Sequence, residues 1–248
     1  MTSPCDLAER LYPFSYGITG PGNDAAADIM CAELPFTVHE FPSGSTMNGW
    51  LIPHHNKVKK AQIRENGELV YDALQHPLGV AAQSAAFTGT VDRKELLQHI
   101  AVAEEDPDWI PYHWSFLYRP WQRDWQFCMP RRLRDSLGAG PFEVELEIEE
   151  QPWPMRVLDY TLPGTSPQTV LINAHNCHAF QANDDTSGVA VGIALMQRLA
   201  EAPRRLTYRL LIAPELQGPM FWLDAMPASE RRNLMGALLL KSVGNRRD

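Results

Sequence analysis

The sequence predicts an α/β fold, and three observations carry that expectation. From Met155 onward, apolar runs and amphipathic stretches alternate in strand–helix order. Two of the runs, Val170–Ile172 and Leu210–Ala213, are continuously apolar, which suits strands covered on both faces. Between the first run and a helical stretch lies Ile172-Asn-Ala-His-Asn-Cys-His-Ala-Phe-Gln-Ala-Asn-Asp-Asp-Thr-Ser-Gly188. This loop sets imidazoles and carboxylates beyond the end of a strand, where open α/β sheets bind ligands.

Residues 5–11 and 22–34 read as short helices, the second capped at Gly22-Asn23-Asp24, with Ile29, Met30, Ala32 and Leu34 on one face. From Phe36 to Thr90 short strand-like runs take over. Lys60–Ile63 and Leu69–Tyr71 flank Asn66-Gly67, a dipeptide favoured in two-residue hairpin turns. Asp108 to Pro130 is dense in aromatics and broken by Pro111 and Pro120, so it forms neither a long helix nor a central strand. It is expected to be an ordered loop, serving as a packing cover or as the wall of a pocket. Residues 131–137 suit a helix stopped by Gly138 and Gly140. After it, Phe142, Val144, Leu146 and Ile148 alternate with Glu143, Glu145, Glu147 and Glu149, the pattern of a strand with one solvated face. The remaining expectations are strands at 155–161, 169–174, 205–213 and 235–242, and helices at 187–201 and about 218–235. Val189, Ile193, Met196 and Ala200 form the buried stripe of the first of these helices.

The chain has 248 residues and a formal charge of −8, so it can bury a full core and offers no basic footprint for nucleic acid or an anionic membrane. Its first residues lack a basic and apolar leader, and no run approaches the roughly 18 apolar residues of a spanning helix. Cys5, Cys31, Cys128 and Cys177 are scattered, which suits free thiols in a reducing compartment. The expectation is a cytoplasmic protein.

Imidazole nitrogen and carboxylate oxygen are ligand types that zinc takes. His175 directly follows an apolar strand, and Asp184 lies just ahead of the helix that begins near Gly188. Each alone is more often an ordinary hydrogen-bonded histidine or a helix cap. A third acidic group, Glu215, ends the next apolar run, so all three would leave the same sheet edge if the two strands are parallel neighbours.

Ala174-His-Asn-Cys-His178, Asn183-Asp-Asp-Thr-Ser-Gly188 and Pro214-Glu215 resemble segments of the bacterial aminopeptidase-like family within the zinc-aminopeptidase clan, whose relatives include leucyl aminopeptidases and glutaminyl cyclases. Phe41-Pro-Ser-Gly44, Trp50-Leu-Ile-Pro53, Ile110-Pro-Tyr112, Trp125-Gln-Phe-Cys128 and Leu162-Pro-Gly164 are similar to that family's small inserted domain and the return from it. The resemblance implies a three-layer α/β/α zinc-aminopeptidase-like sheet with an inserted small β-rich domain. The sheet domain would take residues 1–35 and 131–248, incomplete at its carboxyl end, and the insert 36–130.

The same resemblance implies zinc as cofactor, held partly by His175 and by Asp184, the first carboxylate of Asp-Asp-x-Ser-Gly. Glu215 would be a further ligand or the general base, and His178 an alternative ligand or a residue supporting one. Cys177 stands where the clan has an aspartate, and Pro214 where it has the first of two glutamates. The implied function is hydrolysis of an amide bond next to a free amine in a small peptide or amide substrate. A catalytically impaired metal-binding or interaction module, and glutaminyl-cyclase-like acyl transfer, are the alternatives. A sheet ending at Met235–Ser242 would leave an edge that a second copy or a partner chain could cover.

Overall fold

The computed structural model describes residues 2–245. In chain order, α1 (Pro4–Leu11) and α2 (Pro21–Glu33) precede β1 (Thr37–Phe41) and the hairpin β2 (Thr46–Met47) and β3 (Trp50–Leu51). Next come β4 (His55–Glu65), β5 (Glu68–Asp72), β6 (Phe87–Val91), α3 (Arg93–Gln98), β7 (Ile100–Ala101), α4 (Ser115–Tyr118), β8 (Phe127–Cys128), α5 (Arg131–Ser136) and β9 (Phe142–Gln151). The last part runs β10 (Met155–Leu162), β11 (Thr169–His175), α6 (Gly188–Ala200), β12 (Thr207–Ala213), α7 (Gln217–Ala225), α8 (Ala228–Arg231) and β13 (Leu234–Leu239). Among the described residues, 2–52 with 152–245 form one compact unit and 53–151 a second. Residues 1 and 246–248 of the sequence-derived bounds lie outside the described residues.

The first unit is built on a five-stranded sheet in the order β1-β10-β12-β11-β13. β1 and β12 flank β10 antiparallel, whereas β12 and β13 flank β11 in parallel. The continuous apolar runs sit at its centre. Leu210 to Ala213 are fully buried, as are Ile172 and Ala174, because a strand with helices over it has no wet face. The core gathers Leu7 and Leu11 of α1, Ala26, Ala27 and Met30 of α2, and Val189, Ile193 and Met196 of α6 against Ile172, Leu210 and Ile212. Arg209 closes a bidentate pair on the buried Asp159 at 2.7 and 2.5 Å, tying β12 to β10.

The second unit has its own core around Ala61, Ile63, Phe127, Phe142, Val144 and Leu146. Its main sheet runs β5-β4-β9-β6. Asn66 and Gly67 take φ of 51° and 82°, the two positive values that a tight hairpin turn needs, and β4 and β5 pair across them. Along β9 the apolar residues point into the core. The glutamates face outward, where Glu145 and Glu149 meet Lys60 and Lys59.

Several expectations are corrected. The units divide after Ile52 and after Gln151, not after residues 35 and 130. β1 pairs with β10, more than a hundred residues later in the chain, and β9 pairs with β4 and β6, partners that a local hydrophobic pattern does not reveal. The helix expected over 218–235 is two helices, since Pro227 has no N–H to give and α7 stops before it. In α2 the buried stripe is Asn23, Ala26, Ala27 and Met30, the helix opens at Pro21, and Gly20 stands at the cap position instead of the Gly22-Asn23-Asp24 cap. Ala200 is exposed at the end of α6. The aromatic segment is a loop with the short helix α4, a 3₁₀ turn at Pro120–Gln122 and the two-residue β8. Trp125 and Phe127 are core residues of the second unit, while Trp109, Trp114 and Trp121 are exposed.

Candidate metal centre

Three parallel neighbours, β12, β11 and β13, end side by side, and the residues at and just past those ends build the site. His175 is the last residue of β11, in register with Ala213 of β12. Two residues beyond Ala213 comes Glu215, and two residues beyond the end of β13 comes Lys241. The irregular turn Asn183–Ser187, leading into α6, supplies Asp184 and Asp185 across a cis peptide.

Asp185 is the staple of this arrangement. It has no exposed surface, and its oxygens accept the backbone N–H groups of His175 (3.0 Å), Gly188 (3.2 Å) and Ser242 (3.1 Å). A buried carboxyl so occupied has few lone pairs left for an ion. Desolvation outweighs those three bonds and pushes its pKa up to about 6. Nearby, Asn23 of α2 donates to the carbonyl oxygens of Asn176 and Gly17 and accepts from the Gly17 N–H, fixing the loop after β11 from the other side.

The His175 ring is 3% exposed, and its two nitrogens face different partners. Nε2 lies 2.8 Å from Asp184 Oδ1, and Nδ1 lies 3.3 Å from Cys177 Sγ. Burial holds this imidazole below its ordinary pKa, against the pull of the Glu215 and Asp184 charges, so the ring is neutral as a ligand must be. Cys177 is buried and its thiol is pushed up to about 12 by desolvation, so it stands beside His175 as a thiol. Donor atoms of His175, Asp184 and Asp185 lie within 4.8 Å of one another, and so do those of His175, Cys177 and Glu215.

The structure therefore brings His175 and Asp184 into direct contact. His178 is close without touching: its Nε2 is 4.0 Å from Asp184 Oδ2, and its Nδ1 bonds the Ala179 carbonyl at 3.0 Å. Glu215 lies on the Cys177 side of His175 and its Oε1 takes a 2.8 Å bond from Lys241 Nζ. The roles of Asp185 as a staple and of Lys241 as a member of the site do not show in the sequence. The signal for Lys241 is its position just past the end of a third apolar strand, which becomes informative once β13 is known to neighbour β11.

A zinc ion bound tetrahedrally at 2.0–2.2 Å by two ligands sets their donor atoms about 3.4 Å apart. The His175–Asp184 contact needs to open by well under an ångström to reach that. The imidazole of His175 and the carboxylate of Asp184 are donor types that fit zinc, while Glu215 groups with His175 and Cys177 on the other side of the ring.

A family model described as "Domain of unknown function (DUF4910)" matches residues 5–248. A Clostridium acetobutylicum protein, provisionally described as a polysaccharide biosynthesis protein with an aminopeptidase-like domain, is 27% identical over 241 residues, which is 97% of this chain and 54% of that protein. This chain thus spans about half the length of the curated relative it matches. The crystal structure of a provisionally assigned peptidase from Clostridium acetobutylicum superposes with a TM-score of 0.84 at 27% identity, over 98% of this chain and 57% of that one. The structure of a zinc aminopeptidase from Bacillus subtilis superposes with a TM-score of 0.72 at 13% identity, over 97% of this chain and 67% of that one. The fold is the α/β fold of these aminopeptidase-like proteins.

Proposed function

Because the chain belongs to the DUF4910 family and has an aminopeptidase-like fold, we propose that it is a zinc-dependent hydrolase that cleaves an amide bond next to a free amine. The observation that carries this reading is the 2.8 Å contact between His175 Nε2 and Asp184 Oδ1 at the carboxyl edge of the sheet. His175 and Asp184 hold the ion. Glu215 is its third ligand or the general base, and His178 supports Asp184 from 4.0 Å. When bound, zinc supplies a Lewis acid that polarises a carbonyl and lowers the pKa of water.

The chain's own residues do the rest. In the metal-free site the Asp184 carboxylate accepts, so His175 Nε2 carries the ring proton. With an ion at Nε2 the ring proton would sit on Nδ1, facing Cys177 Sγ at 3.3 Å. Cys177 then orients the ring as a supporting partner. Lys241 bonds Glu215 Oε1 and so fixes the carboxylate, leaving Oε2 as the oxygen that takes a proton. The substrate is a small peptide or amide. Among the described residues no helix is long and apolar enough to cross a membrane.

The Lys241–Glu215 bond also favours a second reading, a metal-binding module of the same fold without turnover, since one carboxylate oxygen is already occupied by the ammonium. The test is an amine-release screen on aminoacyl, peptidyl and glutaminyl amides, using protein purified without chelator and again after metal removal. The hydrolase reading expects zinc in the purified protein, release that stops on chelation, and recovery with added zinc. Zinc without release supports the module. Cyclisation of the glutaminyl amides alone would move the assignment to acyl transfer, and absence of metal would overturn all three.

A further inference from the structure

Lys241 is not placed like an incidental surface lysine. The main chain is clamped on both sides of it: the Leu240 N–H bonds the Asn173 carbonyl of β11 at 2.8 Å, and the Ser242 N–H bonds Asp185 Oδ1 at 3.1 Å. The strand that carries the candidate ligand His175 and the carboxyl that staples the site therefore both set its position. Its ammonium lies 2.8 Å from Glu215 Oε1, with both side chains about two-thirds covered. A single 2.8 Å bond from Nζ to Glu215 Oε1 places the ammonium beside the candidate site. An exposed pair of this kind is ordinarily worth little to stability. Its location gives it another role.

The charge count of the cluster decides how many ions it accepts. Asp184, Asp185 and Glu215 are its carboxylates, and Lys241, 2.8 Å from Glu215, is the ammonium among them. With the carboxylates ionised, one divalent cation brings this group to neutrality. A second would leave it two charges positive within one tight cluster, where like charges repel at short range. Glu215 also has one of its oxygens committed to the lysine.

We propose that Lys241 makes this a one-ion centre: its ammonium, bonded to Glu215, supplies the positive charge that a second divalent cation would bring, so the chain takes a single zinc at His175 and Asp184. This rests on the zinc reading of the site. Lys241 thereby sets ion number and affinity, and acts on the ion through Glu215 and through its own charge.

The experiment is zinc stoichiometry and affinity of the full chain, measured after saturation and gel filtration and then by competition with a chromophoric chelator. Wild type is expected to hold one zinc per chain. Lys241→Met, which keeps the apolar stem and loses the charge, should bind that ion about tenfold more tightly or better, as removal of a like charge at this range predicts. Lys241→Arg should match wild type, and Lys241→Glu, which turns the ammonium into a ligand, should raise stoichiometry toward two. Thermal melts of the metal-free variants check folding, and the wild-type stoichiometry stands as a test even if a variant does not fold. Two tightly held ions in wild type would overturn the inference and leave the zinc reading intact. Unchanged affinity in a folded Lys241→Met would do the same. No bound zinc would overturn both.

Discussion

Asp185 holds the main-chain N–H groups of His175, Gly188 and Ser242 on one buried carboxyl. Truncation to alanine strands all three donors, each costing about 1–3 kcal/mol when buried without a partner. Asp185→Ala should therefore lose about 3 kcal/mol or more in urea unfolding, and a loss below about 1 kcal/mol would deny it the role of staple. The same residue sets a pH dependence in metal-free protein. Its pKa is raised from 3.8 to about 6, so the fold favours the protonated form. That contribution is complete below about pH 3.8 and is lost as pH rises through about 6. Relative to Asp185→Asn, wild type should lose about 2 kcal/mol between pH 4 and pH 7 in the presence of chelator. A relative gain over that range would contradict the burial argument. At the ligands, His175→Ala and Asp184→Asn should each abolish zinc retention, while His178→Ala should weaken it about 10–100-fold, as changes behind a ligand do. His175, Asp184 and Glu215 were legible because strand ends in an α/β pattern mark a binding edge. Lys241 and Asp185 were not, since their roles depend on which strand lies beside β11 and on backbone bonds between distant segments.

At the scale of elements, α6 begins as close to the site as sterics allow. A Cβ on Gly188 would stand 2.3 Å from Asp185 Oδ1 and 2.4 Å from the Leu240 carbonyl oxygen, so only glycine fits there. Gly188→Ala should cost about 1–3 kcal/mol, as overpacking does. It should also weaken zinc retention, because the turn carrying Asp184 must shift to admit the methyl group. Wild-type zinc affinity in that variant would show that the turn and the ligand move independently. The central elements β11, α6 and β12 could be read from their periodicity, with ends within two residues of those observed. The stretch after Leu216 was harder. The stretch reads as one helix over about 218–235 despite Pro227 in its middle, and the break at Met226-Pro227 arises from a missing N–H.

For the whole molecule, the division into units was the least legible feature. Strand-like texture from Phe36 onward suggested one β-rich insert, yet β1 belongs with β10 and the alternating strand β9 belongs with β4, pairings fixed by long-range hydrogen bonding. His55 of β4 pairs with Gln151 of β9, which brings the ends of residues 53–151 together around a separate core. Those residues expressed alone should unfold cooperatively in urea, as a domain with its own core does. A non-cooperative, disordered fragment would mean that the unit depends on the rest of the chain. All of the candidate site lies in the other unit, and its reading as a zinc hydrolase stands on two side chains. The most direct measurement is anomalous scattering at the zinc edge from crystals grown without chelator. The account predicts one peak per chain, in contact with both His175 Nε2 and the Asp184 carboxylate. No peak there, or a zinc bound elsewhere with His175 and Asp184 still bonded to each other, would contradict it.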